Sequence, residues 1–226
     1  MTKYDELIRD HPDLFSNENA LFEIVLDPET INSWQQKKMA ELNENGKPQS
    51  WAEIGVVLDD PYNIILRDLV RFPDGSVRGY GRSIATASLQ GGHGVVVLPF
   101  YQGKVLLLHQ YRHPTRQWHY EIPRGFAEPD TPAAVNARKE IEEETGGRVA
   151  EIVDLGSFHN NTGYEASAVS MFFAHMSLIG TPNRNEGIES FVCLSVAELE
   201  TWISDGKITD GFTIAAYTKA KLKGLL

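Results

Sequence analysis

Glu140, Glu143 and Glu144 stand at i, i+3 and i+4 in the stretch GFAEPDTPAAVNARKEIEEETGG, residues 125–147. On a helix this spacing places three carboxylates on one side. Like charges at that spacing cost about 0.2–0.5 kcal/mol per pair in water. A divalent cation reverses the sign of that term. Carboxylate oxygens are the donors that Mg²⁺ and Mn²⁺ prefer, and Mg²⁺ characteristically takes one or two carboxylates together with substrate phosphate oxygens. The chemistry on offer is therefore metal-assisted attack at phosphorus. An acidic run alone is more often a solvated face, so the reading depends on what precedes it.

The elements that must hold these groups read as follows. Thr131 is expected to cap the helix, Pro132 to occupy its first position, and Gly146 with Gly147 to end it. Ala134, Ala137, Ile141 and Thr145 form its narrow packing face. Upstream, residues 3–10 read as a short helix, and ALFEIVLD (20–27) leaves strand and helix both open. INSWQQKKMAELNENG (31–46) reads as an amphipathic helix with Ile31, Trp34, Met39 and Leu42 as its apolar points. AEIGVVLD, NIILRDLVRF and VRGYGRSIATASL are strand-like, and the Phe72–Gly75 turn makes residues 51–90 a small antiparallel sheet. GVVVLPF and KVLLLHQYR are apolar enough to be buried on both faces. WHYEIP leads into the loop. VAEIVDLGSF, ASAVSMFFAHMSL and IESFVCL follow as strands, then two helices, the first capped by Ser195. His109, His113 and His119 lie close together but match no zinc spacing.

Loop and helix together resemble the Nudix box: Gly, five residues, Glu, seven residues, then Arg-Glu-hydrophobic-any-Glu-Glu-any-Gly-hydrophobic. Gly125, Glu140, Ile141, Glu143, Glu144 and Gly146 fall in register. Thr131, Lys139 and Gly147 depart from the family's Glu, Arg and hydrophobic residue. The resemblance implies an α/β/α sandwich with a mixed sheet. It implies that Glu140, Glu143 and Glu144, with the carbonyl of Arg124 or Gly125, hold Mg²⁺ or Mn²⁺. Gln110-Tyr111-Arg112 resembles a strand-end motif of the ADP-ribose-type members, in which the arginine meets substrate. Glu121, before the Pro-x-Gly turn, is either a further metal-site carboxylate or a hydrogen-bond partner that fixes the loop, the second being expected. Arg124, where Ala is more usual in that turn, is a possible specificity feature. Glu186 is the expected partner of the attacking water, and Glu189 is expected to begin a strand. Members that cleave nucleoside diphosphate sugars often carry an N-terminal β-domain that builds a homodimer. By that resemblance Arg71, Arg78 and Arg82 are candidates to reach a diphosphate.

Bulk properties narrow the classes. The chain has 226 residues, a formal net charge of −10 and a sequence pI near 5.2, which disfavours nucleic acid or an anionic membrane as partner. Cys193, the only cysteine, reads as a small buried hydrophobe. No stretch reads as a signal peptide or a membrane span, so a cytoplasmic location is the default expectation. The combined expectation is an α/β (α+β) protein. Residues 1–92 form an extension, with a helical arm at 1–50 and an antiparallel β-domain at 51–92, and residues 93–226 form the catalytic domain. The expected activity is metal-dependent cleavage of a small nucleoside diphosphate linked to another group, ADP-ribose first, giving AMP and ribose 5-phosphate. Another nucleotide sugar, coenzyme A or a nucleoside triphosphate is the alternative substrate. A non-catalytic ligand sensor on the same fold is the alternative of a different class.

Overall fold

A computed structural model describes every residue except Ala127. The chain divides into two compact units, Met1–Leu89 with Asn161–Ala166, and Gln90–Asn160 with Ser167–Leu226.

The first unit starts with α1 (Lys3–Asp10), whose N-cap Thr2 forms a reciprocal capping box with Asp5. The open segment at 20–27 contains a two-residue strand, β1 (Glu23–Ile24). α2 (Pro28–Glu44) begins behind the side-chain cap of Asp27. Strands β2 (Gly55–Asp59), β3 (Asn63–Arg71) and β4 (Val77–Ala85) are antiparallel, with β3 pairing to β1, β2 and β4. The sheet stops at Ala85, and Thr86–Gln90 is a 3₁₀ turn rather than a continuation of the strand. The Ser83 N–H donates to Tyr164 O (2.8 Å) and the Ala166 N–H to Ser83 O (2.9 Å), so a distant segment occupies that end of β4. Tyr4, Leu7, Phe15, Ile64, Leu66 and Ile84 form the core that holds α1 on the sheet. A buried polar trio reinforces it. The Tyr4 hydroxyl donates to Asp68 Oδ1 (2.6 Å), and Arg82 Nε donates to Asp68 Oδ2 (2.6 Å).

The second unit is built on a seven-stranded mixed sheet. β5 (Gly94–Tyr101) and β6 (Lys104–Arg112) form a hairpin. β7 (Gln117–Glu121) and β8 (Arg124–Gly125) follow, then α3 (Ala133–Thr145), β9 (Arg148–Phe158), β10 (Val169–Leu178), β11 (Ile188–Leu194), α4 (Val196–Ser204) and α5 (Gly211–Leu222). The central order is β11-β6-β5-β10-β9, with β5 and β10 parallel and the remaining pairs antiparallel. Val95–Leu98 and Val105–Leu108 are buried throughout, because both faces of the sheet are covered. Alternation along β5 sends Val95 and Val97 to Ala137 and Ile141 of α3. Val96 and Leu98 go to Leu199, Ala216, Tyr217 and Ala220 of α4 and α5. The unit is thus a three-layered α/β/α sandwich.

The site depends on how β5 and β6 diverge. They pair only at Phe100↔Val105 and Tyr101↔Lys104 beside their turn. Farther along, β6 pairs with β7 and β5 with β8. The segment from Glu121 to Gly125 therefore fills the wedge between two central strands, with Val97 N–H donating to Pro123 O at 3.0 Å.

Candidate active site

Two buried surfaces meet here, the wedge segment 121–125 and the inner side of α3. Helix α3 does not begin as the sequence suggests. Pro132 has φ −56° and ψ 134°, an extended conformation, so it is itself the N-cap and Ala133 is the first helical residue. The Thr131 hydroxyl turns back to Pro129 O at 3.4 Å and caps nothing. At the other end Gly146 is the C-cap at φ 58°. Gly147, where the family pattern has a hydrophobic residue, has no room for one: a Cβ there would press on Leu178 O and, at 2.9 Å, on Met176 Cε.

The three glutamates of the helix differ in environment. Glu144 is buried, Glu140 half-buried and Glu143 exposed. Glu144 Oε2 accepts a hydrogen bond from the Arg124 backbone N–H at 3.3 Å. Glu140 lies so close to Gly125 that a Cβ on that glycine would fall on its carboxylate. Only glycine permits this approach. Burial is the largest influence on Glu144 and pushes its pKa up to about 8. The Arg112 charge opposes this, and the charges of Glu140 and Glu186 add to it. Glu140 is also raised, first by burial and then by Glu143. Glu186 acts on both carboxyls, which brings it into the same electrostatic group. It is the last residue of a 3₁₀ turn, Arg184–Glu186, and its carbonyl is held by Gln110 Nε2 at 2.7 Å. Glu189 lies in β11 and faces His109 Nδ1 at 3.0 Å.

Arg112 Nε donates to Glu121 Oε1, and Arg112 Nη2 is buried with no hydrogen-bond partner among the described residues. Glu121 is buried. Its second oxygen accepts from Arg124 Nη2 at 3.2 Å, and Arg124 Nη1 reaches Asp210 Oδ1 at 3.1 Å. Burial raises the Glu121 pKa, opposed by Arg124 and Arg112. Lys139, at the family's Arg position, pairs with Glu128. Arg78 and Arg82 belong to the first unit. There Arg78 pairs loosely with Asp74 (3.6 Å) over the Phe72 ring, and Arg82 is committed to Asp68 and to Leu14 O (2.7 Å).

Gln110, Asn136, Thr213 and Asp210 complete the frame. Asn136 Nδ2 holds Phe126 O at 2.9 Å, and the Ile122 N–H donates to Thr213 Oγ1 at 3.1 Å. Asp210 carried a local signal as a helix cap, but its pairing with Arg124 spans 86 positions and had none.

This donor set suits a hard divalent cation. Glu144 and Glu140 are carboxylates burdened by burial and by neighbouring negative charge, and both lie against the Arg124–Gly125 segment. Among the described residues no three acidic, imidazole or thiol side chains close into a ready-made cage. Mg²⁺ needs only one or two carboxylates and fills its octahedron with water and phosphate.

Known proteins resemble this chain to different degrees. The chain is 26% identical over 128 residues to an ADP-ribose pyrophosphatase of Bacillus subtilis, covering 55% of this chain and 69% of that one. It is 29% identical over 147 residues to a GDP-mannose pyrophosphatase of Yersinia enterocolitica, covering 60% and 76%. The crystal structure of an ADP compounds hydrolase superposes with a TM-score of 0.65 at 17% identity, over 76% of this chain and 93% of that one, a likeness of fold. The NUDIX domain model matches residues 92–212, more than half of the sequence, including Arg112, Glu121, Arg124, Gly125, the helix glutamates and Glu186, so this chain belongs to the Nudix family of hydrolases.

Proposed function

We propose that this Nudix hydrolase is a Mg²⁺- or Mn²⁺-dependent pyrophosphohydrolase acting on a nucleoside diphosphate joined to a sugar, with ADP-ribose the first substrate and AMP and ribose 5-phosphate the products. The observation that carries this reading is the convergence of Glu140 and Glu144 on the Arg124–Gly125 backbone, under the electrostatic influence of Glu186 and Arg112. The similarity to pyrophosphatases of ADP-ribose and GDP-mannose supports the substrate class.

Glu140 and Glu144, with Glu143 at the rim and the carbonyl of Arg124 or Gly125, are the residues that would hold the cation. When bound, a divalent cation neutralises diphosphate charge and makes a nearby water more acidic. Arg112 offers the buried Nη2–H to a non-bridging phosphate oxygen, while its Nε stays on Glu121. Glu121 fixes Arg112 and Arg124 rather than joining the ligand set. A carboxylate oxygen of Glu186 takes the proton of the attacking water, from a turn whose backbone Gln110 steadies. The tight packing at Gly125 keeps Glu140 in place. No protein nucleophile is required.

We further infer a homodimer formed through the first unit, which leaves Trp51, Leu58 and Tyr62 exposed. In such a dimer Arg78 and Arg82 are the candidates for contact with substrate. Of the two Arg78 is the less committed.

The test is chromatographic identification of the products formed from ADP-ribose, GDP-mannose, a coenzyme A and a nucleoside triphosphate with Mg²⁺ or Mn²⁺. Preferential cleavage of the two diphosphate sugars supports the proposal. Preference for the triphosphate or coenzyme A overturns the substrate class. Binding of the nucleotides without turnover moves the protein to a sensor role.

A further inference from the structure

We propose that Asp210 is a positioning residue for the active-site loop, acting through Arg124 and Thr213 from outside the acidic helix. This rests on the reading of residues 121–144 as the hydrolytic site.

Asp210 is the N-cap of α5, and its two oxygens have separate tasks. Oδ2 accepts from the Thr213 N–H (2.8 Å) and the Thr213 hydroxyl (2.7 Å). Oδ1 accepts from Arg124 Nη1 (3.1 Å). Thr213 is fully buried, and the same hydroxyl oxygen accepts from the Ile122 N–H at 3.1 Å. The first turn of α5 therefore grips the wedge segment twice, at the backbone of Ile122 and at the side chain of Arg124. The Arg124 guanidinium also reaches Glu121 Oε2 (3.2 Å) and lies over the Phe212 ring at 5.3 Å. Both terminal nitrogens of that side chain are thus bonded to protein carboxylates. What Arg124 presents to Glu144 is its backbone N–H. Its side chain anchors the loop while its main chain faces the catalytic carboxylate.

This assigns a reason to arginine in the Pro-x-Gly turn. Segment 121–125 passes from β6, where Glu121 pairs with Leu108, to β5, where Arg124 and Gly125 pair with Val96 and Val95, so its backbone changes partner strand at Ile122–Pro123 and gains from a side-chain tie there. A charge-assisted contact to a helix cap supplies that tie. Groups that orient ligands from behind typically change metal affinity or activity by about 10–100-fold when removed.

Asp210→Asn is the informative substitution. Asn is as good an N-cap as Asp, so the Thr213 contacts survive, but an amide NH₂ in place of Oδ1 cannot accept from Arg124. Arg124→Met breaks the same contact from the other side and leaves the cap intact. Two readouts are needed: hydrogen exchange at the Ile122 and Arg124 amides in metal-free protein, and Mn²⁺ titration followed by electron paramagnetic resonance. Both variants should exchange roughly tenfold faster at those amides, with α5 protection unchanged. Mn²⁺ binding should weaken about tenfold or more and kcat fall with it, while KM stays within about twofold. The double variant should be no worse than the poorer single one. Unchanged exchange in both variants, effects that multiply in the double variant, or a rise in KM confined to Arg124→Met would overturn the proposal. If exchange accelerates but the parent takes up no Mn²⁺, positioning by Asp210 stands and the metal reading falls.

Discussion

Glu144 is a residue the fold holds at a cost. An ordinary glutamate titrates near 4.5, and burial pushes this one up to about 8. The sign of the consequence follows from linkage. Between those two values the native protein keeps a proton that the unfolded chain has released. The group's contribution to stability is therefore intact below about 4.5 and is lost as pH rises through about 8. With a chelator present, the parent should lose up to a few kcal/mol from this group between pH 5 and pH 9. Glu144→Gln should show a flatter profile and the higher melting temperature at pH 9, measured by calorimetry. Its activity should fall by 100-fold or more, since loss of mere supporting groups already costs about 10–100-fold. A variant with parental turnover would remove Glu144 from the metal site. Gly125→Ala tests the same site from the other side. Its Cβ lands on the Glu140 carboxylate. Those atoms are the far end of a flexible side chain, so stability should stay within about 0.5 kcal/mol of the parent, while the displaced carboxylate should take activity down. Both are read from a melting curve and a progress curve on one sample.

Elements differ in how much of them was written locally. The existence of α3 and its inner face followed from helical spacing, and Ala137, Ile141 and Thr145 are buried as that spacing requires. Its first residue did not follow. The choice between Thr131 and Pro132 as N-cap depends on one backbone angle, and ψ 134° at Pro132 decided it. The difference is testable. Thr131→Ala should leave stability within about 0.5 kcal/mol of the parent, as for any surface change away from a special contact. Ser195→Ala should cost about 1 kcal/mol, because Ser195 shares a complete capping box with Glu198. Denaturant titrations of the pair provide the comparison, and equal losses would contradict the cap assignment. Strand hairpins were legible from their turns. The divergence of β5 from β6 was not, because nothing in either strand's sequence says which partner it takes past the first two pairs. For the same reason the glutamates and Arg112 stood out in the sequence, being clustered or set in a motif. Asp210 and Thr213 did not, because their work is done against residues far away along the chain.

At the scale of the whole molecule, the acidic balance of the sequence fits a chain that borrows positive charge from a cation and presents a few placed arginines. It does not by itself say how many chains make the enzyme. The argument for two is one of surface. In the first unit, β2 pairs with β3 alone among the described strands, which leaves its other edge open, and Leu58 on that strand is 43% exposed. Trp51 and Tyr62, on either side of β2 in sequence, are 54% and 63% exposed. An open edge flanked by large apolar groups is the kind of surface that proteins cover with a partner. Light scattering on the eluting protein should therefore report two 25.3 kDa chains. Leu58→Glu should shift that mass to one chain, because a carboxylate desolvated in an apolar contact has no compensating partner. The isolated subunit should lose little intrinsic stability, since the side chain is exposed within it. If Arg78 reaches substrate only across the dimer, the monomeric variant should also show a higher KM with its metal requirement unchanged. A parent that elutes as a single chain with full activity would confine the whole reaction to residues 92–212 and leave the first unit with a structural role.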